Sequence, residues 1–290
     1  MDTKIAALVI LYQFEEQCIH NIETYAKDVD ILYAFDNSTT KNKELVNKLK
    51  LIDKLHYIDG KGNQGLSKAI NRVAKLAIKS GYQWLITFDQ DSYALNNIIE
   101  QMKEFIGTFP NIDTIGIISP TIKNELIKFT PVKNKISYNE WVIQSGALHN
   151  LKAYLDINGY DEKLFIDQVD IEYCVRLTQK GYKIVKLNHA ILMHNTQDND
   201  IKIRWLKNGK KVITNKFSPM RYYYFIRNNL YCAKKYKKDK PQYYAQLIRN
   251  IEYLIKTLPY EKDKRARLKA IICAYLDYKM GNMGKTNRKF

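Results

Sequence analysis

The sequence predicts an α/β protein: a mainly parallel sheet flanked by helices, with a less regular, mixed second half and a basic helical extension at the end. Three observations predict it. Short apolar runs alternate with stretches of helical periodicity up to about residue 120. Beyond that point the alternation becomes irregular. From Pro219 onward the apolar spacing is helical throughout. Strands that alternate with helices make βαβ units and hence parallel pairing.

The elements follow in order. "KIAALVILY" (4–12) and "ILYAF" (31–35) read as buried strands, with an amphipathic helix between them on Cys18, Ile19, Ile22, Tyr25 and Ala26. "KLHYI" (54–58) is the third strand. A helix follows on Leu66, Ala69, Ile70, Val73, Ala74 and Ala77, and Gly81 closes the segment. Next come the strand "WLITF" (84–88), a helix over 95–106 and the strand "TIGIIS" (114–119). "EWVIQSGALH" (140–149) and "YKIVKL" (182–187) read as strands flanking a helix at 170–179, which Gly181 stops, and "AILMH" (190–194) as a further strand. In the extension, Tyr244, Leu247, Ile248, Ile251, Leu254, Ile255 and Leu258 keep i, i+3, i+4, i+7 spacing. Leu268, Ile271, Ile272, Tyr275 and Leu276 do the same. Both sets read as amphipathic helices with basic polar faces, which either pack against the body or meet a membrane.

Composition narrows the class. A chain of 290 residues with 46% hydrophobic and 27% charged residues can bury a full core, which excludes global disorder. The apolar run near the start, "IAALVILY", is far too short for a membrane span and lacks the layout of a signal peptide. Cys18, Cys174, Cys232 and Cys273 have no C-x-x-C spacing, which argues against a zinc site or disulfide framework and fits a reducing cytoplasm. The net charge of +17 is unevenly placed. Residues 216–290 carry 19 Lys and Arg against 5 Asp and Glu, a balance of +14, whereas residues 1–215 carry 28 against 25. The expected division is a body over 1–215 and a basic extension over 216–290. That extension calls for a polyanionic partner, nucleic acid or an anionic membrane surface.

"DGKGNQG" (59–65) is a literal G-x-G-x-x-G between a strand and a helix. The dinucleotide fingerprint, however, belongs to the first βα turn, and this one follows the third strand. No ribose-binding acid stands about twenty residues on. The turn still presents backbone N–H groups suited to phosphate or ribose. Polar clusters follow three successive strands: the second ends in Asp36-Asn37-Ser38, the third leads to Asn63-Gln64-Gly65, and the fourth ends in Asp89-Gln90-Asp91. In open α/β sheets the ligand crevice lies at the carboxyl ends of the strands, so the three should converge. Hard cations such as Mg²⁺ or Mn²⁺ take carboxylate and phosphate oxygens together. A paired carboxylate at a strand end therefore suits a cation bridging it to a diphosphate.

These residues sit within a wider resemblance. "DNSTT", "GNQGLSKAINRVAKLAIKSGYQWLITFDQDS", "QSGAL", "GYDEKLFIDQVDIEYCVRLTQKGYKI", "LMH" and "FSPMRYYYFIRNNLY" resemble, in that order, the bacterial rhamnosyltransferases of glycosyltransferase family two. The resemblance covers roughly residues 5–235. It implies a GT-A fold, a nucleotide-diphosphate sugar donor, Mg²⁺ or Mn²⁺, and inversion at the anomeric carbon. Carried over by position, Asp36 matches the acid that contacts the nucleobase, and Asn63 and Gly65 match the turn beside the nucleoside. Asp89 and Asp91 match the metal-and-diphosphate motif, with Asp91 as the more direct metal ligand. Asp170 matches the catalytic base, with a slip to Asp167 left open. Ser145 and Gly146 match the strand floor beneath donor sugar and acceptor, and Trp141 and Gln144 are candidates for the acceptor side. His194 matches a histidine that completes the metal site in related enzymes, against a purely structural role. Glu172 and Arg176 read as an i, i+4 pair on a helix surface.

Two departures stand out. The first strand runs into Tyr12-Gln13-Phe14 instead of an Asn-Pro pair, which weakens any account of base selection. The run "HNTQDND" after the strand lacks the glycine expected at short range, which puts the loop over the donor in doubt. "IRW" (203–205) is preceded at 201 by Ile and not by the Gln of processive synthases. By resemblance the donor is dTDP-rhamnose, with a UDP-hexose or UDP-galactofuranose as alternatives. The acceptor is a glycan intermediate on undecaprenyl diphosphate, met by a cytoplasmic protein peripheral to the inner face of the membrane. A homodimer is left open. Nucleic acid is disfavoured, because the crevice it would have to enter is acidic.

Overall fold

The computed structural model describes residues 3–123, 134–194, 201–205, 211–215 and 217–290, with 201–205 and 211–215 as backbone. The chain forms two compact units, Met1–Asp161 with Asp170–Asn195, and Glu162–Val169 with Thr196–Phe290.

The first unit opens with three parallel strands, β1 (Ile5–Leu11), β2 (Ile31–Asp36) and β3 (Leu55–Asp59), separated by helices α1 (Glu16–Ala26) and α2 (Lys43–Leu49). β1 is apolar at every position and almost wholly buried, because helices cover both faces of a parallel sheet. Helix α3 (Leu66–Lys79) returns the chain to β4 (Trp84–Asp89), which pairs parallel with β1. The short β5 (Ser92–Ala94), helix α4 (Ile98–Thr108) and strand β6 (Ile115–Lys123) follow. Then come β7 (Ile136–Asn139), β8 (Ala147–Asn150), α5 (Leu151–Asp156), α6 (Val169–Gln179) and the long β9 (Lys183–His194). The strands build one nine-stranded sheet in the order β3-β2-β1-β4-β8-β6-β9-β5, with β7 also on β9. β8 runs antiparallel between β4 and β6, so the second half is mixed, as expected.

Several elements differ from the sequence expectation. Helix α2 is absent from it because seven residues are too few to show periodicity. The signal was Asn42, whose Oδ1 accepts from the backbone N–H groups of Glu44 and Leu45 as an N-cap. Of the expected strand 140–149 only Ala147–Asn150 is extended. Gly146 stands at φ +77°, which no strand tolerates, and Thr87 Oγ1 draws the Gln144 carbonyl into a 2.5 Å hydrogen bond. Glu172 and Arg176 do pair, but not on a surface: Glu172 is fully buried, and Arg176 also donates to the Ile157 and Gly159 carbonyls. The pair holds the α5–α6 connection.

Gly146 is also confined in space. A Cβ there would come within 2.7 Å of Pro120 and 2.8 Å of Leu192. Gly181, at φ +95°, has open space around it. Gly146→Ala is therefore expected to destabilise the protein by about 2–5 kcal/mol, left-handed strain plus overpacking. Gly181→Ala should cost only the strain, about 1–2 kcal/mol. Denaturant midpoints of the two variants provide the comparison.

The second unit contains a hairpin of β10 (Ile201–Trp205) and β11 (Lys211–Asn215) and three helices: α7 (Pro219–Tyr236), α8 (Pro241–Thr257) and α9 (Lys264–Met280). Its core is Tyr222, Tyr223, Tyr224, Ile226, Leu254, Ala270 and Ala274. Helix α8 turns Leu247 and Leu254 inward as its spacing predicts, with Ile251 and Leu258 packed beside them, but leaves Ile255 outward. Helix α9 does not follow its spacing. Its buried face is Arg267, Ala270, Ala274 and Asp277, with Arg267 over the Tyr222 ring and Asp277 accepting from Tyr223 Oη and from Arg288. The alanines are small enough to seat against the α7 tyrosines. Leu268, Ile272, Tyr275 and Leu276 are left outward.

Candidate active site

The carboxyl ends of β1, β2, β3 and β4 are tied to one another by hydrogen bonds. Asn37 donates its backbone N–H to the Leu11 carbonyl, and Gln13 N–H reaches Ser38 Oγ. Tyr12 N–H donates to Gln90 Oε1, which joins the β1 end to the loop after β4. The glycine-rich turn after β3 is latched to the β2 end: Gly60 N–H bonds the Asp36 carbonyl, and Gln64 N–H bonds Asn37 Oδ1. A Cβ on Gly60 would meet that same carbonyl at 2.7 Å, so the first glycine of the motif serves backbone approach, not a cofactor. Asn63 Oδ1 accepts from Gly65 N–H and shapes the entry to α3. Asp36 itself is fully buried. Its Oδ1 accepts from Ser38 N–H, its Oδ2 from Tyr57 Oη at 2.7 Å, and Lys41 Nζ lies 3.3 Å away.

Asp89 closes β4 and Asp91 follows the turn. Strand β5 then pairs antiparallel with the end of β9, placing Ser92 directly opposite His194. The pairing spans 102 residues, and it brings the imidazole onto both carboxylates. His194 Nδ1 is 3.3 Å from Asp91 Oδ1, and Nε2 is 4.0 Å from Asp89 Oδ2. One ligand atom from each of the three residues lies within 4.8 Å of the others. Behind them runs a chain of hydroxyls. Asp89 N–H donates to Ser145 Oγ, Ser145 Oγ donates to Ser92 Oγ, and Ser92 Oγ sits 2.7 Å from His194 Nδ1. Gln144 Nε2 donates to Asp89 Oδ1. The 144–146 turn, anchored by the bond from Gly146 N–H to the Thr87 carbonyl, therefore fixes one face of the acidic pair.

The glycosyl transferase family 2 model matches residues 12–157, which includes the carboxyl ends of β2, β3 and β4 but not Leu11 or His194. The chain belongs to glycosyl transferase family 2. It is 25% identical over 96% of its length, and of the relative's, to the dTDP-rhamnosyl transferase RfbF of Shigella flexneri. It is similar in structure to S. aureus TarS 1–349 in complex with UDP-GlcNAc, with a TM-score of 0.58 at 14% identity, covering 95% of this chain and 80% of that one. Against a longer TarS chain the TM-score is 0.53 at 14% identity. There 90% of this chain is covered but only 44% of the other, so this chain spans less than half of it. The mostly parallel sheet with its mixed second half is thus of the GT-A type.

Family 2 enzymes typically use a divalent metal ion, and the acidic pair of this glycosyltransferase fits one. Asp91 Oδ1 is buried with no partner but the His194 ring at 3.3 Å, which leaves lone-pair capacity for a cation. Two carboxylates and an imidazole form a hard to intermediate donor set, suited to Mn²⁺ or Mg²⁺. Burial pushes the Asp89 carboxyl up, with Asp91 adding to the shift and His194 opposing it. Burial works against a proton on His194, but the neighbouring carboxylates, Asp91 first, outweigh it and raise its pKa.

The remaining predicted residues divide between the units. Asp170 lies in the first turn of α6, half-buried, its Oδ1 accepting from Ile171 N–H. One turn on, Cys174 Sγ meets the Val142 carbonyl at 3.9 Å, so the helix leans on the loop that carries Gln144. Asp167 belongs to the second unit. It and Gln168 are consecutive left-handed residues at φ 64°, and its Oδ1 takes both Nε and Nη2 of Arg221, at 3.0 and 2.6 Å. Burial raises its pKa against the pull of Arg221. Trp141 is half exposed at the rim of a cleft of about 580 Å³, which also holds Thr121, Asn139, Glu140, Ser145 and Lys186. Gln144 is buried and engaged with Asp89. The loop 195–200, where the missing glycine raised doubt, lies outside the described residues.

Sequence reasoning missed three contributors. Ser92 was visible inside D-Q-D-S, but nothing local reveals that it faces His194. Tyr57 and Lys41 around Asp36 gave no signal, because each is an ordinary residue whose meaning comes from the neighbouring strand.

Proposed function

We propose that this family 2 enzyme is an inverting rhamnosyltransferase that takes its sugar from dTDP-rhamnose and adds it to a glycan intermediate on a lipid diphosphate. It works at the cytoplasmic face of the membrane. The observation that carries the reading is the convergence of Asp89, Asp91 and His194 at the carboxyl end of β4. The similarity to a dTDP-rhamnosyl transferase along nearly the whole chain supports the choice of donor.

Each residue then has a task. Asp89, Asp91 and His194 would hold the ion; Gln144 fixes the Asp89 carboxylate and Ser145 its backbone. When bound, Mg²⁺ or Mn²⁺ offsets the charge that develops on the diphosphate leaving group. Asn63, Gly65 and the Asp36 cluster line the nucleoside side; with both Asp36 oxygens engaged, Tyr57 and Lys41 transmit its charge toward the base. The acceptor hydroxyl must lose a proton as the glycosidic bond forms, and Asp170 takes it. A single base on the face opposite the leaving group gives inversion in one step. The Trp141 cleft beside Ser145 and Gly146 receives the acceptor sugar, with the indole as a stacking surface. The basic residues over 216–290, 19 Lys and Arg against 5 Asp and Glu, serve an anionic membrane surface.

Thermal stabilisation by dTDP, UDP and GDP, each with and without Mn²⁺, tests the site. We expect dTDP with Mn²⁺ to raise Tm by about 5 °C at a hundredfold excess over Kd, and either component alone to do much less. A larger shift with UDP would favour a UDP-sugar donor, the reading that similarity to a TarS complex with UDP-GlcNAc supports. No shift with any nucleotide would overturn the assigned site.

A further inference from the structure

Helix α9 turns apolar side chains outward alongside its charged ones. Its inward face carries Arg267, Ala270, Ala274 and Asp277, while Leu268, Ile272, Tyr275 and Leu276 stand 50%, 52%, 50% and 48% exposed at i, i+4, i+7 and i+8. These four form one stripe along about two turns. Soluble chains rarely leave such a stripe uncovered. Its charge says what covers it. Arg265, Lys269 and Lys279 are exposed beside the stripe. The helix's one acid, Asp277, is buried and held by Arg288. The outward surface of α9 thus combines apolar side chains with positive charge and has no negative charge at all.

We propose that this surface is an interfacial membrane-binding face. The stripe enters the boundary between headgroups and acyl chains, and the flanking cations meet anionic lipid phosphates. A second copy of the chain is a poor occupant, because a two-fold contact would set the basic face against itself. Nucleic acid would answer the charge but not the leucines and isoleucine. Tyr275 suits the polar level of the interface, where an amphipathic ring can keep its hydroxyl wet. The inference deepens the proposed membrane role of the second unit by naming the surface, and it rests on that reading.

Co-sedimentation of the full chain with vesicles decides it, using phosphatidylcholine alone or with one part in three of phosphatidylglycerol. We expect binding to the anionic vesicles that weakens with added salt, and little binding to phosphatidylcholine. Ile272→Ser with Leu276→Ser should lower the bound fraction at least tenfold at fixed lipid, with only a small drop in Tm because both side chains are half exposed. Arg265→Gln with Lys269→Gln should remove most of the salt dependence. Three results would overturn the assignment: no binding of the intact chain to anionic vesicles, equal binding by the serine variant, or a dimer of the intact chain that the serine variant dissociates. The response of the serine variant to dTDP and Mn²⁺ reports separately on the transferase site. Loss of vesicle binding with that response intact assigns the face alone. Vesicle binding without any nucleotide response would uphold the face and overturn the donor site.

Discussion

Asp170→Asn is expected to lower kcat by about 10²–10⁴-fold, the usual contribution of a positioned general base, while leaving stabilisation by dTDP and Mn²⁺ unchanged. The amide keeps the size of the carboxylate and its place in the first turn of α6, but it cannot take a proton from the acceptor hydroxyl. Asp167→Asn is the comparison that gives the experiment force. Asp167 is already committed to Arg221, which brings two N–H groups to a single oxygen. Its replacement should lower Tm by loosening the 162–169 segment from α7, because the left-handed pair Asp167-Gln168 loses its anchor. Steady-state kinetics and melting curves on both variants separate the roles. If Asp167→Asn lost turnover at full stability while Asp170→Asn stayed within tenfold of the parent, the base would be Asp167.

Asp91→Ala should reduce activity by about 10²–10³-fold, because a metal's stabilisation of a leaving group is worth several kcal/mol and each 1.36 kcal/mol is tenfold in rate. It should also abolish the Mn²⁺-dependent part of the dTDP shift, as EDTA does on the parent. The metal-free melting temperature should change little, since the substitution relieves the repulsion with Asp89 but also removes the ion pair with His194. Asp89→Ala should lose activity similarly but melt lower, because it strands the Gln144 amide. Retention of the Mn²⁺ response in both variants would remove the ion from this site.

Much of the first half of the fold is legible in the sequence, and the reason is local. A strand covered on both faces must be apolar at every position, as "IAALVIL" is, and a helix against a sheet must repeat its apolar residues as α3 does. The carboxylates at the end of β4 are legible as a pair, since two like charges one residue apart repel unless something positive lies between them. The second half is harder to read. Its strands are short, and their limits are set by backbone events such as the left-handed Gly146 and the register shift in β6 at Pro120. Helix α2 escaped because its one clear signal, Asn42, is also an ordinary loop residue.

By itself the sequence determined the βαβ order, the polar residues that follow β2, β3 and β4, the paired carboxylates and the excess of basic residues over 216–290. Composition, period and spacing act through neighbours along the chain. Tertiary structure alone decided three things. It set Ser92 opposite His194 across the β5–β9 pairing, where register depends on two segments far apart. It buried the Glu172–Arg176 pair, which spacing reads as a surface contact. It also chose which face of α9 turns inward. Periodicity states that a helix has two faces, but the shape of the surface it meets decides which is buried. The α7 tyrosines accept alanines, a stacked arginine and a hydrogen-bonded aspartate there, and leave the leucines outside.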